Sequence, residues 1–106
     1  MAKYMLKASY SVDGIRGVMK EGGTGRQAAV EKLVANLGGS VEGFYYAFGQ
    51  TDVYVIADLP DKETAAAIAM TVGGSGAVSV DTVVLLTPEE IDRASKISVD
   101  YRPPGA

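Results

Sequence analysis

Few residues in this chain could do acid–base or metal chemistry, because the sequence contains neither histidine nor cysteine. It therefore has no imidazole that titrates near neutral pH, no thiolate nucleophile and no sulfur or imidazole ligand for a metal ion. Any catalysis would depend on carboxylates, tyrosines, lysines or arginines. The sequence predicts no metal site and no cofactor.

Asp52 is the first candidate for a ligand contact. It follows a glycine-containing turn, Gly49-Gln50-Thr51, and opens an apolar run. A carboxylate there could act as a general base, accept a hydrogen bond from a ligand, or accept hydrogen bonds from the amides of the turn. The last of these roles, which is purely structural, is the commonest for an aspartate in such a position.

Tyr45, Tyr54 and Lys7 are the other candidate ligand-binding residues. Two phenols and an ammonium group, with Ser9 and Asp81 nearby, would be a few polar groups among apolar neighbours, which is the pattern of a small-molecule pocket. The alternative is that the tyrosines pack in an interface with their hydroxyls at its rim. Lys7 would then extend into solvent.

A glycine-rich segment, Gly22-Gly23-Thr24-Gly25-Arg26, precedes a predicted helix. Its amides and the Arg26 guanidinium could bind an anion at the helix N-terminus. The P-loop pattern G-x-x-x-x-G-K-[ST] is absent, so no nucleotide site follows. The glycines favour a flexible linker between two helical segments instead.

Hydrophobic periodicity predicts the elements that would position these side chains. Alternation predicts four strands, and helical spacing predicts a short turn, two main helices and a final short helix. Asp61 is placed to cap one helix, and Thr87 with Glu90 forms a capping-box pattern before another. The predicted strands span 3–10, 41–48, 52–59 and 78–86, and the helical segments span 15–20, 26–37, 61–72 and 88–95.

The hairpin between residues 41 and 60 has two apolar arms whose register decides which side chains share a face. A two-residue loop at Gln50-Thr51 gathers a purely apolar face and is the preferred alternative, although a three-residue loop would turn one arm over. The preferred register places one set of side chains toward the helices, namely Phe44, Tyr46, Phe48, Val53, Val55 and Ala57. It places the other set on the opposite face, namely Tyr45, Asp52, Tyr54 and Ile56.

The order βαββαβ predicts an α+β, ferredoxin-like domain, with a four-stranded antiparallel sheet and both helices on one face. Residues 1–95 form this single domain, and 96–106 form an extended tail whose Ile97, Val99 and Tyr101 could dock along an edge strand. The uncovered face would be apolar enough to need a partner. We therefore expect a homodimer or higher homo-oligomer that pairs through the face carrying Met5, Tyr45, Tyr54, Ile56, Val83 and Leu85.

The composition limits the cellular location and the classes of partner that we expect for this chain. Hydrophobic residues make up 47% and charged residues 22% of the chain, as in an ordinary globular protein. A net charge of −3 with scattered basic residues disfavours nucleic acid as a partner. The start lacks a signal-peptide pattern and no apolar run is long enough to span a bilayer, so we expect a soluble cytoplasmic protein without membrane contact.

Several of these segments together resemble the GYD-domain family over about residues 3–93. The resemblance implies a ferredoxin-like fold related to the dimeric α/β-barrel proteins, and no settled activity. Gly49 and Asp52 match the motif that names the family, whereas Thr51 stands where the family has tyrosine, so no role of that tyrosine carries over. The matching segments are Leu37-Gly38-Gly39, Gly43 to Gly49, Asp52 with its apolar run, Ala57 to Asp61, and Leu86 to Glu90.

Three functions are consistent with these features. The favoured one is a homo-oligomer, non-enzymatic or not demonstrably enzymatic, that binds a small molecule at or near the interface between the two sheets. The second is a cofactor-independent enzyme that uses Asp52 and a tyrosine for proton transfer on an aromatic or carbonyl substrate. The third is a self-assembling structural unit without a ligand.

Overall fold

The computed structural model describes all residues from 1 to 106. The chain forms one antiparallel sheet in the order β2-β3-β1-β4 and four helices, so the predicted α+β, ferredoxin-like fold is confirmed. No helix is both long enough and apolar enough to cross a bilayer. The elements are β1 (Ala2–Tyr10), α1 (Val12–Glu21), α2 (Gly23–Asn36), β2 (Ser40–Tyr46), β3 (Val53–Leu59), α3 (Lys62–Gly74), β4 (Val78–Leu85) and α4 (Pro88–Ser95).

The core lies on one face of the sheet, beneath α2 and α3. Alternate residues of the two central strands, β1 and β3, are buried there, and the residues between them face the other side. Val34 from α2 and Leu59 from β3 are completely buried. The buried residues of the core are Tyr4, Leu6, Ala8, Val34, Val53, Val55, Ala57, Leu59, Ala65 and Ile68.

The hairpin has the predicted faces but a longer loop. Phe44 pairs with Val55 and Tyr46 with Val53, so these four share the helix side as expected. The loop runs from 47 to 52, not over two residues, because β2 already ends at Tyr46. Phe48, predicted within the strand, leaves the sheet with φ of 55° and stacks on Tyr46 at 5.7 Å between ring centroids. A Gln-Thr pair lacks the positive φ preference that a two-residue turn needs.

The glycine-rich segment is helical and not a linker, which corrects that expectation. α1 is also longer than the predicted turn, since the hydroxyl of Ser11 accepts a hydrogen bond from the Gly14 amide at 3.1 Å and starts the helix early. Gly22 alone, with φ of 82°, breaks the chain between α1 and α2. A single residue of positive φ is enough to end one helix and redirect the next.

The predicted starts of the last two helices are confirmed. Asp61 accepts hydrogen bonds from the amide and the hydroxyl of Thr64, both at 2.7 Å. Glu90 accepts from the Thr87 amide at 2.8 Å, and the Thr87 hydroxyl accepts from the Glu90 amide at 3.2 Å, which completes the capping box. These bonds to the ionised forms lower the pKa of both carboxyl groups.

The C-terminal arm, defined as residues 86–106, projects from the domain. The radius of gyration is 16.8 Å, compared with about 13 Å for a compact chain of roughly this length. Ile97, Val99 and Tyr101 are each at least two-thirds exposed and join no strand. The expected docking of the tail along an edge strand is therefore not present within one chain.

Gly39 should tolerate no side chain. A methyl group there would lie 2.4 Å from the carbonyl oxygen of Asp58 and 3.0 Å from Val34. We expect Gly39→Ala to lower the free energy of unfolding by about 1–3 kcal/mol, as overpacking does. Gly73 in α3 has no neighbour within 4 Å, so Gly73→Ala should raise stability by about 0.5 kcal/mol. Urea denaturation measures both, and equal effects would contradict the close approach at Gly39.

Asp61 should contribute to acid sensitivity. A carboxyl group with a lowered pKa in the folded state adds stability above its unfolded pKa, and this contribution is lost as pH falls through the folded pKa. Asp61→Asn keeps a capping acceptor that does not titrate. Its thermal midpoint should therefore fall less than that of the unmodified protein between about pH 5 and pH 2. Asp13→Asn, at a 91% exposed side chain, is the control that should leave the acid profile unchanged.

Candidate functional site

Four polar residues form one row across the uncovered face of the sheet. Asp81 of β4 is the cross-strand partner of Lys7 in β1, Lys7 is the partner of Tyr54 in β3, and Tyr54 is the partner of Tyr45 in β2. We call this set the tyrosine row. With strands about 4.8 Å apart, it spans roughly 14 Å. The structure thus brings together three of the four candidate ligand-binding residues.

The neighbouring rows of the open face differ in character. Val83, Met5 and Ile56 form an apolar row beside the tyrosine row. In the row beyond, Lys3 forms ion pairs with Asp58, at 3.0 Å, and with Glu42. Hydrogen bonds to Glu42 and then Asp58 raise the pKa of Lys3, so this end of the face holds a paired charge cluster.

Three polar side-chain groups of the tyrosine row have no hydrogen-bond or ion-pair partner within the chain. The Lys7 ammonium and the hydroxyls of Tyr45 and Tyr54 make no intramolecular hydrogen bond, and Lys7 forms no ion pair with Asp81 within 4.0 Å. The Tyr45 side chain is 68% exposed. These three groups are therefore available to a ligand or to another chain.

Asp52 lies in the loop before β3, two residues from Tyr54, and its side chain is hydrogen-bonded to the end of β1. Its carboxylate accepts a hydrogen bond from the Tyr10 amide at 2.8 Å, and its own amide donates to the Ala8 carbonyl at 2.9 Å. The Ser9 hydroxyl adds a bond to the carbonyl of Gln50 at 2.8 Å. The loop is thus fixed to the end of β1, and no tyrosine hydroxyl is hydrogen-bonded to Asp52.

Gly49 has no internal constraint that would require glycine. A methyl group added there would meet no atom within 4 Å, and its φ is not positive. Contacts within the chain therefore explain why position 52 is Asp52, but they do not explain why position 49 is Gly49.

A cavity on the helix side of the sheet was missed by the sequence analysis. It lies between the sheet and the helices α2 and α3, and its volume is about 170 Å³. Fourteen of its fifteen lining residues are hydrophobic, and the exception is Arg26. Arg26 precedes Val30 and Leu33 by four and seven residues, which places it on the inward stripe of α2. This spacing is the signal that could have placed Arg26 beside the core, whereas the glycine-rich segment predicted only an anion site at the helix N-terminus.

The polar end of this cavity contains Tyr10 besides Arg26, and Tyr46 lies close to Tyr10 outside the lining. Tyr46 donates a hydrogen bond from its hydroxyl to the Gly23 carbonyl at 3.1 Å. Burial, followed by the proximity of Tyr46, raises the pKa of Tyr10, so its phenol stays protonated at neutral pH. Arg26 lies 3.6 Å from Glu21, and the guanidinium side chain is one-third exposed.

The strand order and the open sheet define a small ferredoxin-like α+β protein. The family model of the GYD domain matches residues 4–95, and the chain therefore belongs to the GYD-domain family, as the sequence predicted. No curated protein sequence and no solved structure matches the chain.

Removal of the Asp52 carboxylate should affect stability. Asp52→Ala leaves the half-buried Tyr10 amide without its acceptor, and we expect a loss of about 1–3 kcal/mol in the free energy of unfolding. Asp52→Asn retains an acceptor and should lose less. Glu31→Ala, at an exposed carboxylate of α2 without an ion pair, is the control and should change stability by under about 0.5 kcal/mol. A fully stable Asp52→Ala protein would contradict the structural role.

Proposed function

We propose that this GYD-domain protein is a homo-oligomer that pairs through its open sheet face and binds a small molecule beside the tyrosine row. The observation that carries the proposal is the tyrosine row itself. Its polar groups lack partners within the chain, and it adjoins an apolar row on a sheet face that no helix covers. The net charge of −3 supports a partner other than nucleic acid. A soluble, cytoplasmic location is also part of the proposal.

The area of the open face supports a paired arrangement. Four strands of seven to nine residues make a face of roughly 500 Å², given the usual strand spacing and rise. Two such faces bury about 1,000 Å², which is near the lower limit for a specific interface. The C-terminal arm, with exposed Ile97, Val99 and Tyr101, offers further apolar surface to the same partner.

The charges of the open face support a second copy of this chain as the partner. Lys7 and Asp81 are neighbours in register but form no ion pair with each other. In a two-fold arrangement Lys7 of one copy can meet the partner's Asp81, and the same pair recurs on the other side of the axis. Lys3 is already paired within its own chain, which limits the unpaired charge that association would bury.

The chemistry of the tyrosine row suggests the class of small molecule. Two sheets packed face to face lie about 10 Å apart, so the phenols of Tyr45 and Tyr54 would enclose a thin space between apolar rows. Phenol hydroxyls donate to carbonyl or carboxylate oxygens, and the Lys7 ammonium favours a negative group. A flat molecule with a carbonyl or acid group fits these donors.

The proton-transfer enzyme has less support from the geometry. It would require Asp52 and a tyrosine to act on one substrate, yet the carboxylate of Asp52 is hydrogen-bonded to the Tyr10 amide. A general base must reach the proton that it removes. The binding function therefore takes precedence.

A charge on the apolar row should prevent assembly. We expect the unmodified protein to have twice its chain mass of 11.0 kDa, or a higher multiple, in light scattering after size exclusion. Met5→Glu places a carboxylate between Ile56 and Val83, where burial in an interface would be unfavourable, and should give monomers.

Met70→Glu is the matched control, because Met70 is exposed on α3, away from the open face. It should leave the oligomer intact. A monomeric unmodified protein, or a Met5→Glu variant that still assembles, would contradict pairing through this face.

The bound molecule should depend on the tyrosine row. Native mass spectrometry of the purified oligomer should detect a non-covalent small molecule, and the double variant Tyr45→Phe with Tyr54→Phe should lose it while remaining assembled, because Lys7 stays available to the partner's Asp81. Both changes remove donors without adding charge or bulk. An oligomer that carries no such molecule in either form would instead support self-assembly without a ligand.

A further inference from the structure

The helix-side cavity has the size of a site for one small apolar group. Its volume of about 170 Å³ is enclosed by hydrophobic side chains that include Leu33, Phe44, Val55 and Val72. An apolar cavity of roughly 150 Å³ in another protein stays dry and binds benzene. The cavity in this chain is therefore suited to a single ring or a branched aliphatic group.

The cavity is accessible from the protein surface. A groove between α2 and α3 adjoins it and shares Ala29, Leu33, Ile68 and Val72 with its lining. A second depression shares Tyr10, Arg26, Val72 and Val78 with it. The lining of the cavity is thus continuous with two depressions of the surface.

Arg26 brings a guanidinium to the end of the cavity that meets a depression lined also by Asp13 and Glu21. It is the only charged residue in the lining of the cavity itself, and Tyr10 lies at the same end. A guanidinium offers five donors in a fork that matches a carboxylate. Its ion pair with Glu21 is long, at 3.6 Å, and half of the Glu21 side chain is exposed, so donors remain for a second anion.

We propose that the helix-side cavity binds a small monocarboxylic acid whose apolar part is an aromatic ring or a branched aliphatic group. The apolar part occupies the space between Leu33, Val55 and Val72, and the carboxylate lies against the Arg26 guanidinium. The Tyr10 phenol is protonated at neutral pH and is a second donor to the carboxylate. This site is on the opposite side of the sheet from the tyrosine row and does not depend on assembly.

The size and the charge of the site exclude other ligand classes. A long acyl chain exceeds the volume, and a cation would meet Arg26. A neutral hydrocarbon could fill the cavity but would leave the guanidinium without the anion that it favours. Acetate would satisfy the charge but would leave the apolar walls unfilled.

Benzoate, benzyl alcohol and acetate separate these contributions in a titration of the full chain followed by methyl NMR. Benzoate should shift the methyl signals of Val30 and Val72 saturably and leave that of Met5, on the open face, unchanged. Benzyl alcohol should bind at least about tenfold more weakly, and acetate should cause no such shift. Shifts centred on Met5, equal binding of benzyl alcohol, or no binding of benzoate would overturn the proposal.

Two charge variants test the recognition of the carboxylate. Arg26→Gln should weaken benzoate binding by about tenfold or more, while Glu21→Gln should strengthen it because a competing carboxylate is removed. Arg16→Gln, at a 75% exposed arginine of α1, is the matched control and should bind as the unmodified protein does. Unchanged affinity in Arg26→Gln would overturn the role of the guanidinium.

A cavity-filling variant keeps the test informative if Arg26→Gln is poorly folded. Val72→Phe occupies the cavity from α3 and should abolish the benzoate shifts, whereas Met70→Glu on the outer side of the same helix should retain them. Retained binding in a folded Val72→Phe protein would place the ligand elsewhere. Light scattering of each variant shows separately whether the sheet-face assembly persists, so the two proposals can fail independently.

Discussion

The register of β1 against both of its neighbours is the constraint on which the other features depend. β1 lies between β3 and β4, and its residues alternate strictly between the two sides of the sheet. Leu6 pairs with Val55 beneath the helices, while the next residue, Lys7, pairs with Tyr54 on the open face. A shift of one residue would bury Lys7 and expose Leu6. The same pairing thus creates the wall of the helix-side cavity and the centre of the tyrosine row.

The loop between β2 and β3 helps to hold this register at the end of β1. Asp52 accepts from the Tyr10 amide, and Ser9 donates to Gln50, so the loop closes over the last residues of the strand. Tyr10 in turn contributes to the polar end of the helix-side cavity. Tyr10 is thus shared by the end of β1, by the contact with Asp52 and by the lining of the cavity.

Alternation and capping signals were enough to predict the strands, α3, α4 and the two faces of the hairpin, because each depends on spacing within one segment. Lys7, Tyr54 and Tyr45 could be assigned to one face for the same reason. Their alignment in a single row required the pairing between strands, which local periodicity does not specify. The contact of Asp52 with Tyr10, which fixes the six-residue loop, joins residues 42 positions apart in the sequence. Arg26 was predicted only as an anion ligand at the start of α2, and its position on the apolar stripe of that helix places it in the cavity lining.

The glycines in the segments that resemble the family differ in whether the fold of one chain explains them. Gly38 adopts a φ of 84° after α2, and Gly39 lies against the Asp58 carbonyl, so the fold of one chain accounts for both glycines. Gly49 satisfies neither condition, since its φ is ordinary and the space around it is empty. Gly49 is a residue of the motif that names the family, which Gly73 is not, and we propose that its identity reflects a contact outside the chain. Gly49 lies in the loop that follows Tyr45 and Tyr46, so that contact would lie beside the end of the tyrosine row, where we propose that the second copy and the small molecule meet.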